Sequence, residues 1–335
     1  MSNKNSENIK KSDKADENTP PVDVRLRPKK WEDYVGQHKI KQNLQLIIKA
    51  AKQRNEACDH ILFYGQAGLG KTTLAYIMGH EMDSNIRTTS GPTLEKTGDI
   101  AAILTNVEPG EILFIDEIHR LSKNVEEVLY PALESRQLNL IVGKGPSAKT
   151  LSIDLPPFTV VGATTKANLL SAPLRSRFGA IFKLDYYKQS DVEKIVRRSA
   201  NLLDTNITDK AVEKIAEASR FTPRVANRLV KRCRDWAQVH KNGKLDEEAV
   251  KKTLEMLEID HYGLEEVDRH LLGTIIEKFN GGPVGINSIA AALNEDTGVI
   301  EEVYEPFLIR LGFLKRTKSG RVITDEARSH IEKTN

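Results

Sequence analysis

The run His60-Ile-Leu-Phe-Tyr64, followed at once by Gly65-Gln-Ala-Gly-Leu-Gly-Lys-Thr72, leaves few folds open to this chain. An unbroken apolar run reads as a strand buried on both faces, as in a parallel sheet. Gly65, Gly70, Lys71 and Thr72 then meet the spacing G-x-x-x-x-G-K-[ST], with a helical pattern after it. Glycines at 65, 68 and 70 let the backbone curl so that its N–H groups face phosphate oxygens, and the helix starting near Lys71 adds the positive end of its dipole. Lys71 would reach the β- and γ-phosphates, and the Thr72 hydroxyl would ligate Mg²⁺. A chance match belongs to roughly one chain in a hundred of this length, given average glycine usage. The expectation is an α/β domain with a parallel sheet.

Such a loop needs acids at the end of a neighbouring strand, and Glu111-Ile-Leu-Phe-Ile-Asp-Glu-Ile-His119 supplies them. Asp116 is placed to hold Mg²⁺ through water, and Glu117 to orient and deprotonate an attacking water. Phe158 to Thr165 reads as a further buried strand ending in hydroxyls, and Arg175 and Arg177 follow in a loop. Between these core strands, Leu138, Leu140 and Val142 alternate, Gly143-Lys-Gly-Pro146 turns, and Leu151 and Ile153 alternate on the return. That is an inserted β-hairpin. With Ile141 or Val142 exposed near its tip it would be a docking surface; lying flat, it would only extend its own domain. Upstream, Arg25 to Gln37 and the helical pattern from Lys39 to Gln53 either line an adenine pocket or pack as ordinary core.

Composition narrows the partners. A net charge of +3 requires any nucleic-acid surface to be local. No apolar run approaches a membrane span and the first residues lack the core of a signal peptide, so the expected location is cytoplasmic, with no membrane partner. Cys58 and Cys233 form no C-x-x-C pair and read as reduced thiols. Residues 1–20 are polar with almost no aliphatic side chains, and are expected to form a disordered tail.

From Gln189 the periodicity becomes helical. Two amphipathic helices, a third begun by Thr222 as N-cap and Pro223, and a fourth near 246–258 predict a small helical domain. Arg224 lies in a first turn, where a cation opposes the helix dipole, and so is expected to serve a phosphate. The further cations Arg228, Lys231, Arg232 and Arg234 read as a solvated face. The last segment offers three helices, the third holding Pro306 and expected to kink there, and a hairpin turned at Lys318-Ser-Gly320. That pattern is a winged helix. Arg310, Lys315, Arg316, Lys318 and Arg321, with no acid in the window 310–321, give it a basic edge suited to duplex backbone.

Taken together, Gly65–Thr72, Ile115-Asp-Glu-Ile-His-Arg-Leu121, Gly162-Ala-Thr-Thr165, Pro173-Leu-Arg-Ser-Arg-Phe-Gly179 and Thr222-Pro-Arg224 resemble the AAA+ ATPases, and within them the RuvB family of Holliday junction branch-migration motors. The likeness runs from Leu26 to Arg328. It implies a large AAA+ domain over 21–187 with the hairpin at about 137–153, a helical lid over 188–258, and a winged-helix DNA-binding domain over 262–335. Also implied are Leu26, Arg27, Thr73 and Tyr187 at the nucleotide, Thr165 as first sensor, Arg224 as second sensor, and Arg177 as an arginine finger acting on a neighbouring subunit. Arg316 and Arg321 would meet DNA, while Ile141, Val142, Leu151 and Ile153 would meet the junction-binding partner RuvA. The resemblance further implies ATP and Mg²⁺ as cofactors, a homohexamer, and a possible link to the resolvase RuvC. Two departures are Gln66-Ala67, where the family commonly has Pro-Pro, and Phe221, where glycine is usual.

The expected activity is an ATP-driven motor on Holliday junction and duplex DNA. Two rivals stay open: a clamp-loader-type switch, which a C-terminal collar or zinc module would favour, and a nucleotide-gated DNA-binding regulator, which intact Lys71, Glu117 and Arg177 oppose.

Overall fold

The computed structural model describes residues 21–142 and 149–334; the expected tail at 1–20 and the hairpin turn at 143–148 lie outside the described residues. The chain enters through α1 (Val22–Leu26) and α2 (His38–Arg54), then forms β1 (Ile61–Tyr64), α3 (Lys71–Met82), β2 (Ile86–Ser90), α4 (Thr97–Leu104), β3 (Ile112–Asp116) and α5 (Lys123–Ser135). The hairpin β4 (Gln137–Val142) and β5 (Lys149–Asp154) follows, then β6 (Thr159–Thr164), α6 (Ala172–Ser176) and β7 (Ala180–Lys183). Five of these strands form one parallel sheet in the order β2-β3-β6-β1-β7. Ile61, Leu62 and Phe63 are fully buried, as are Leu113, Phe114 and Ile115 and all of β6. Helices on both faces exclude water, which is why these strands carry no polar alternation. Because β6 lies between β1 and β3, its carboxyl end falls between the phosphate loop and Asp116. Ligands of open parallel sheets gather at that edge.

The second unit packs α7 (Gln189–Leu202), α8 (Asp209–Glu217), α9 (Pro223–His240) and α10 (Glu247–Met256) around Val196, Ile215, Leu229 and Val250. Its core is continuous with that of the sheet's β1 side. Two residues at Asn206–Ile207 also pair in parallel with Lys244–Leu245. Strands so short carry no periodicity, so the pattern alone shows only helices.

The third unit has its own core around Leu271, Ile275, Phe307 and Leu308. It comprises α11 (Glu266–Phe279), α12 (Ile286–Leu293), a third helix in three parts, the wing at Leu314–Thr317 and Gly320–Ile323, and a final helix Asp325–Thr334. In the third helix, α-turns at Thr297–Val299 and Glu305–Leu311 flank a π-turn at Ile300–Tyr304. Pro306 explains it. Proline has no N–H for the carbonyl of Glu302 and its ring crowds that carbonyl, so the preceding turn widens.

Contacts tie this unit to both others. The Arg220 guanidinium meets Asp268 at 3.2 Å and lies over Phe307. Arg228 meets Glu265 at 2.6 Å, and Lys166 pairs with Glu302. Arg310 stacks on Tyr186 and Phe221. Phe221, the departure from glycine, has φ +55°, a left-handed backbone that costs a residue with a Cβ. Its ring packs against the third unit's core, a contact glycine could not make.

Candidate functional site

A cavity of about 530 Å³ opens where the phosphate loop faces α9. Its lining includes Leu26, Arg27, Gly68, Gly70, Lys71, Thr72, Thr73, Asp116, Glu117 and Arg224, and so joins residues from four separated stretches of chain. Gly70 caps α3 at φ +101°, a conformation glycine adopts without strain. Gly68 has φ +80°, and a Cβ there would lie 2.9 Å from the Cβ of Arg224. The loop and the helical unit thus touch at a point where no side chain fits. The Lys71 ammonium donates to the carbonyls of Gly65 at 2.7 Å and Gln66 at 2.9 Å. Burial holds its pKa below the ordinary lysine value, against the pull of Glu117 and Asp116. A phosphate would relieve that desolvation.

Arg224 follows the N-cap Thr222, whose hydroxyl accepts from the Val225 N–H, and Pro223 at the first helical position. Its unfavourable place against the helix dipole matches a side chain turned to the cavity. Asn227, Arg228 and Lys231 line the same wall. Positions 224, 227, 228 and 231 share one helical face. Arg228, still half exposed, and Lys231 line the cavity as well as facing solvent, and spacing counted from Arg224 would have found that second place. Five cations (Arg27, Lys71, Arg224, Arg228 and Lys231) against three acids (Asp23, Asp116 and Glu117) suit a polyanion such as a triphosphate.

A smaller recess of about 40 Å³ adjoins it, lined by Leu26, Tyr34, Val35, Thr73 and Tyr187 among others. The Tyr187 hydroxyl donates to Leu69 O at 3.3 Å and lies 3.3 Å from the Tyr34 hydroxyl, and burial pushes its pKa up to about 12. A partly apolar recess beside a phosphate cradle is where a nucleobase would lie. It draws on the segment 25–37, for which adenine pocket and plain packing both stood open; its residues serve as core and as wall.

The acids sit as the strand pattern requires. Glu117 takes φ +46° and ψ +45°, and its N–H donates to Asp116 Oδ1 at 2.9 Å. Such a left-handed turn in a residue with a Cβ is strained. The Thr165 hydroxyl donates to Glu117 Oε2 at 3.3 Å. His119 Nδ1 lies 3.2 Å from the same oxygen and 2.8 Å from Thr164 Oγ1. Sequence reasoning passed over His119, because its partner Thr164 is 45 positions away. Among the described residues no three His, Cys, Asp or Glu side chains form a metal cage. Mg²⁺ on a nucleotide needs none, since phosphates and water complete its octahedron, and Thr72 and Asp116 both face the cavity.

Arg177 does not line this cavity. Its guanidinium donates to Glu134 at 2.9 Å and to Pro173 O at 2.7 Å, and stacks over Tyr130 at 4.6 Å. In the hairpin, Leu151 is half exposed, whereas Ile153 packs against the sheet's second core. Ile141 pairs with Thr150 and Val142 with Lys149; the side chains of 141 and 142 lie outside the described residues. On the wing, Arg316 is exposed and pairs with Glu301. Arg321, expected as a DNA contact, is 9% exposed and meets Glu305, itself 2% exposed, at 2.5 Å and Glu301 at 2.8 Å. Arg310 faces the other two units. The basic edge of five cations therefore shrinks to Lys315, Arg316 and Lys318.

Residues 26–184 match the family model described as the Holliday junction DNA helicase RuvB P-loop domain. Residues 187–260 match the RuvB AAA lid domain, and 261–332 the RuvB C-terminal winged helix domain. The Holliday junction branch migration complex subunit RuvB of Fusobacterium nucleatum is 52% identical over 308 residues, covering 92% of this chain and 93% of that protein. Among solved structures, the Thermotoga maritima RuvB Holliday junction branch migration motor superposes with a TM-score of 0.85 at 50% identity, over 92% of this chain and 98% of that one. A variant of that motor with one arginine-to-alanine substitution superposes with a TM-score of 0.84 at 50% identity, over the same shares of the two chains.

Proposed function

This chain belongs to the RuvB family of P-loop AAA+ ATPases, and on that premise we propose that it is an ATP-hydrolysing motor that drives branch migration of Holliday junctions by moving duplex DNA. The observation that carries the reading is a site that one chain leaves incomplete. The cavity holds a phosphate cradle, two carboxylates and Arg224, while Arg177 points elsewhere, onto Glu134 and Tyr130.

In the proposed reaction Lys71 and the loop N–H groups bind the phosphates, Thr72 and Asp116 hold Mg²⁺, and Glu117 takes a proton from the attacking water. Held there, Mg²⁺ would supply charge neutralisation to the phosphates. Arg177 of one subunit completes the cavity of the next, which calls for a ring, here a homohexamer. An arginine finger of this kind contributes roughly 10³ to 10⁵ in rate. Arg224 touches the loop at Gly68, so loss of the γ-phosphate would change how α9 sits and carry the winged helix with it.

Lys315, Arg316 and Lys318 would contact DNA phosphates, which suits passage over any sequence. Arg321 would act from behind, holding the wing. The hairpin, with Leu151 exposed and Ile141 and Val142 near its tip, would grip RuvA, and the resolvase RuvC would act on the same junction. No described helix is long and apolar enough to cross a membrane; action on chromosomal junction DNA is what supports a cytoplasmic location.

The test is ATP-dependent dissociation of a synthetic four-way junction, with and without RuvA. Glu117→Gln should abolish it while nucleotide binding persists; junction movement by that variant refutes the reading. Arg177→Ala mixed with Lys71→Ala should recover activity that neither has alone, because some sites then combine an intact loop with an intact finger. No recovery at any ratio would overturn action in trans.

A further inference from the structure

Glu117 is held by more than its strand. Both contacts to its carboxylate fall on one oxygen, Oε2: the Thr165 hydroxyl at 3.3 Å and His119 Nδ1 at 3.2 Å. The other oxygen, Oε1, takes neither. The first is a hydrogen bond; the second is a close approach, and because a carboxylate only accepts, it attracts only when Nδ1 carries the proton. The His119 side chain is 8% exposed. Lys166 and Arg120 lie near it as well as Glu117 and Glu302, and burial outweighs the acids, keeping the ring neutral near pH 7. A neutral ring has a single N–H to place.

The hydrogen-bond partner of that nitrogen is the Thr164 hydroxyl, 2.8 Å away and wholly buried. Thr164 Oγ1 already accepts the Lys166 N–H at 2.9 Å, which leaves its own hydrogen free to point at Nδ1. Two arrangements follow. With the proton on Nδ1, His119 holds Glu117; with it on Nε2, Nδ1 accepts from Thr164 and turns a lone pair toward the carboxylate.

We propose that His119, anchored on Thr164 and lying against Oε2, is the positioning residue for Glu117: a proton on Nδ1 would draw Oε2 to the ring and leave Oε1 for the water that attacks the γ-phosphate. The proposal rests on the reading of Glu117 as general base. His119 touches no reacting atom and acts through Glu117 alone.

Asparagine places an amide N–H close to where Nδ1 stands, whereas glutamine places one nearer Nε2. His119→Ala and His119→Gln should therefore lower kcat by roughly ten- to a hundredfold, the loss expected when the partner that orients a working group is removed. The Kd for ATP, read with a fluorescent analogue, should stay within about twofold, and His119→Asn should restore most of kcat. Melting curves establish that each variant folds, and the isosteric asparagine keeps the test open if alanine does not. Wild-type kcat in His119→Ala, equal losses in His119→Asn and His119→Gln, or a loss confined to Kd would each overturn the proposal. Glu117→Gln, assayed in parallel, separates the two levels: if it still hydrolyses ATP, the base assignment itself has failed.

Discussion

Replacing Arg321 with methionine distinguishes a DNA contact from a buttress. The guanidinium donates to Glu305 through Nε at 2.5 Å and Nη2 at 3.2 Å, and to Glu301 at 2.8 Å. Glu305 has almost no exposure, so Arg321→Met leaves a buried carboxylate with its cation gone. Removing one partner of a buried ion pair costs about 3 to 5 kcal/mol. We take ~3 kcal/mol, the lower bound, because Glu301 keeps Arg316 and the wing is near solvent. For a unit of this size, that lowers the melting temperature by about 12 °C or more. Hydrogen exchange across residues 262–332 reads the loss locally, without confusion from the other two units. Removing both partners together, as Arg321→Met with Glu305→Leu, should recover most of the protection, since no buried charge is stranded. Arg316→Ala should leave exchange untouched and reduce the salt dependence of DNA binding by about one charge. Unchanged protection in Arg321→Met, with weaker DNA binding and a salt slope lower by one, would refute the buttress.

Other outcomes follow from the same geometry. His60 Nδ1 accepts the Val160 N–H at 2.9 Å while Nε2 contacts Leu133 O at 3.1 Å, an arrangement only a neutral ring satisfies, and burial lowers its pKa. The unfolded chain, with histidine near pH 6.5, binds the proton first; stability is therefore unaffected above about pH 6.5 and lost as pH falls below it. Melting at pH 7.5 and 5.5 should show that loss, and His60→Met should show less of it. Lys231 lines the cavity and pairs with Asp23 at 2.5 Å, so Lys231→Met should weaken ATP binding roughly tenfold. An unchanged Kd by titration would return it to the solvated face. Lys166 joins the strand carrying Thr164 to Glu302 of the winged-helix unit. Lys166→Met should keep hydrolysis without DNA within about twofold and lose most of its stimulation by duplex DNA. Stimulation equal to wild type would show that the pair carries no coupling.

Local chemistry was the legible part. The phosphate loop, the apolar strands ending in Asp116 and Thr164, and the Thr222-Pro223 helix start depend on neighbours within a turn or two, so spacing reports them. The edge strand β7 and the weakly apolar β2 escaped because half-exposed strands in an α/β fold lack both a continuous apolar run and clean alternation. In the wing, counting charge within 310–321 missed Glu301 and Glu305, which lie on the preceding helix and neutralise Arg321.

By itself, then, the sequence determined that a triphosphate cradle, its acids and a helical cation exist, because each is built from backbone conformation and residue type at short range. Only the tertiary structure decided how they are used. It set β6 between β1 and β3, so that His119 and Thr165 converge on one oxygen of Glu117; it folded α9 over the loop; and it aimed Arg177 out of its own cavity. Those relations join residues tens to more than a hundred positions apart, and packing rather than spacing fixes them.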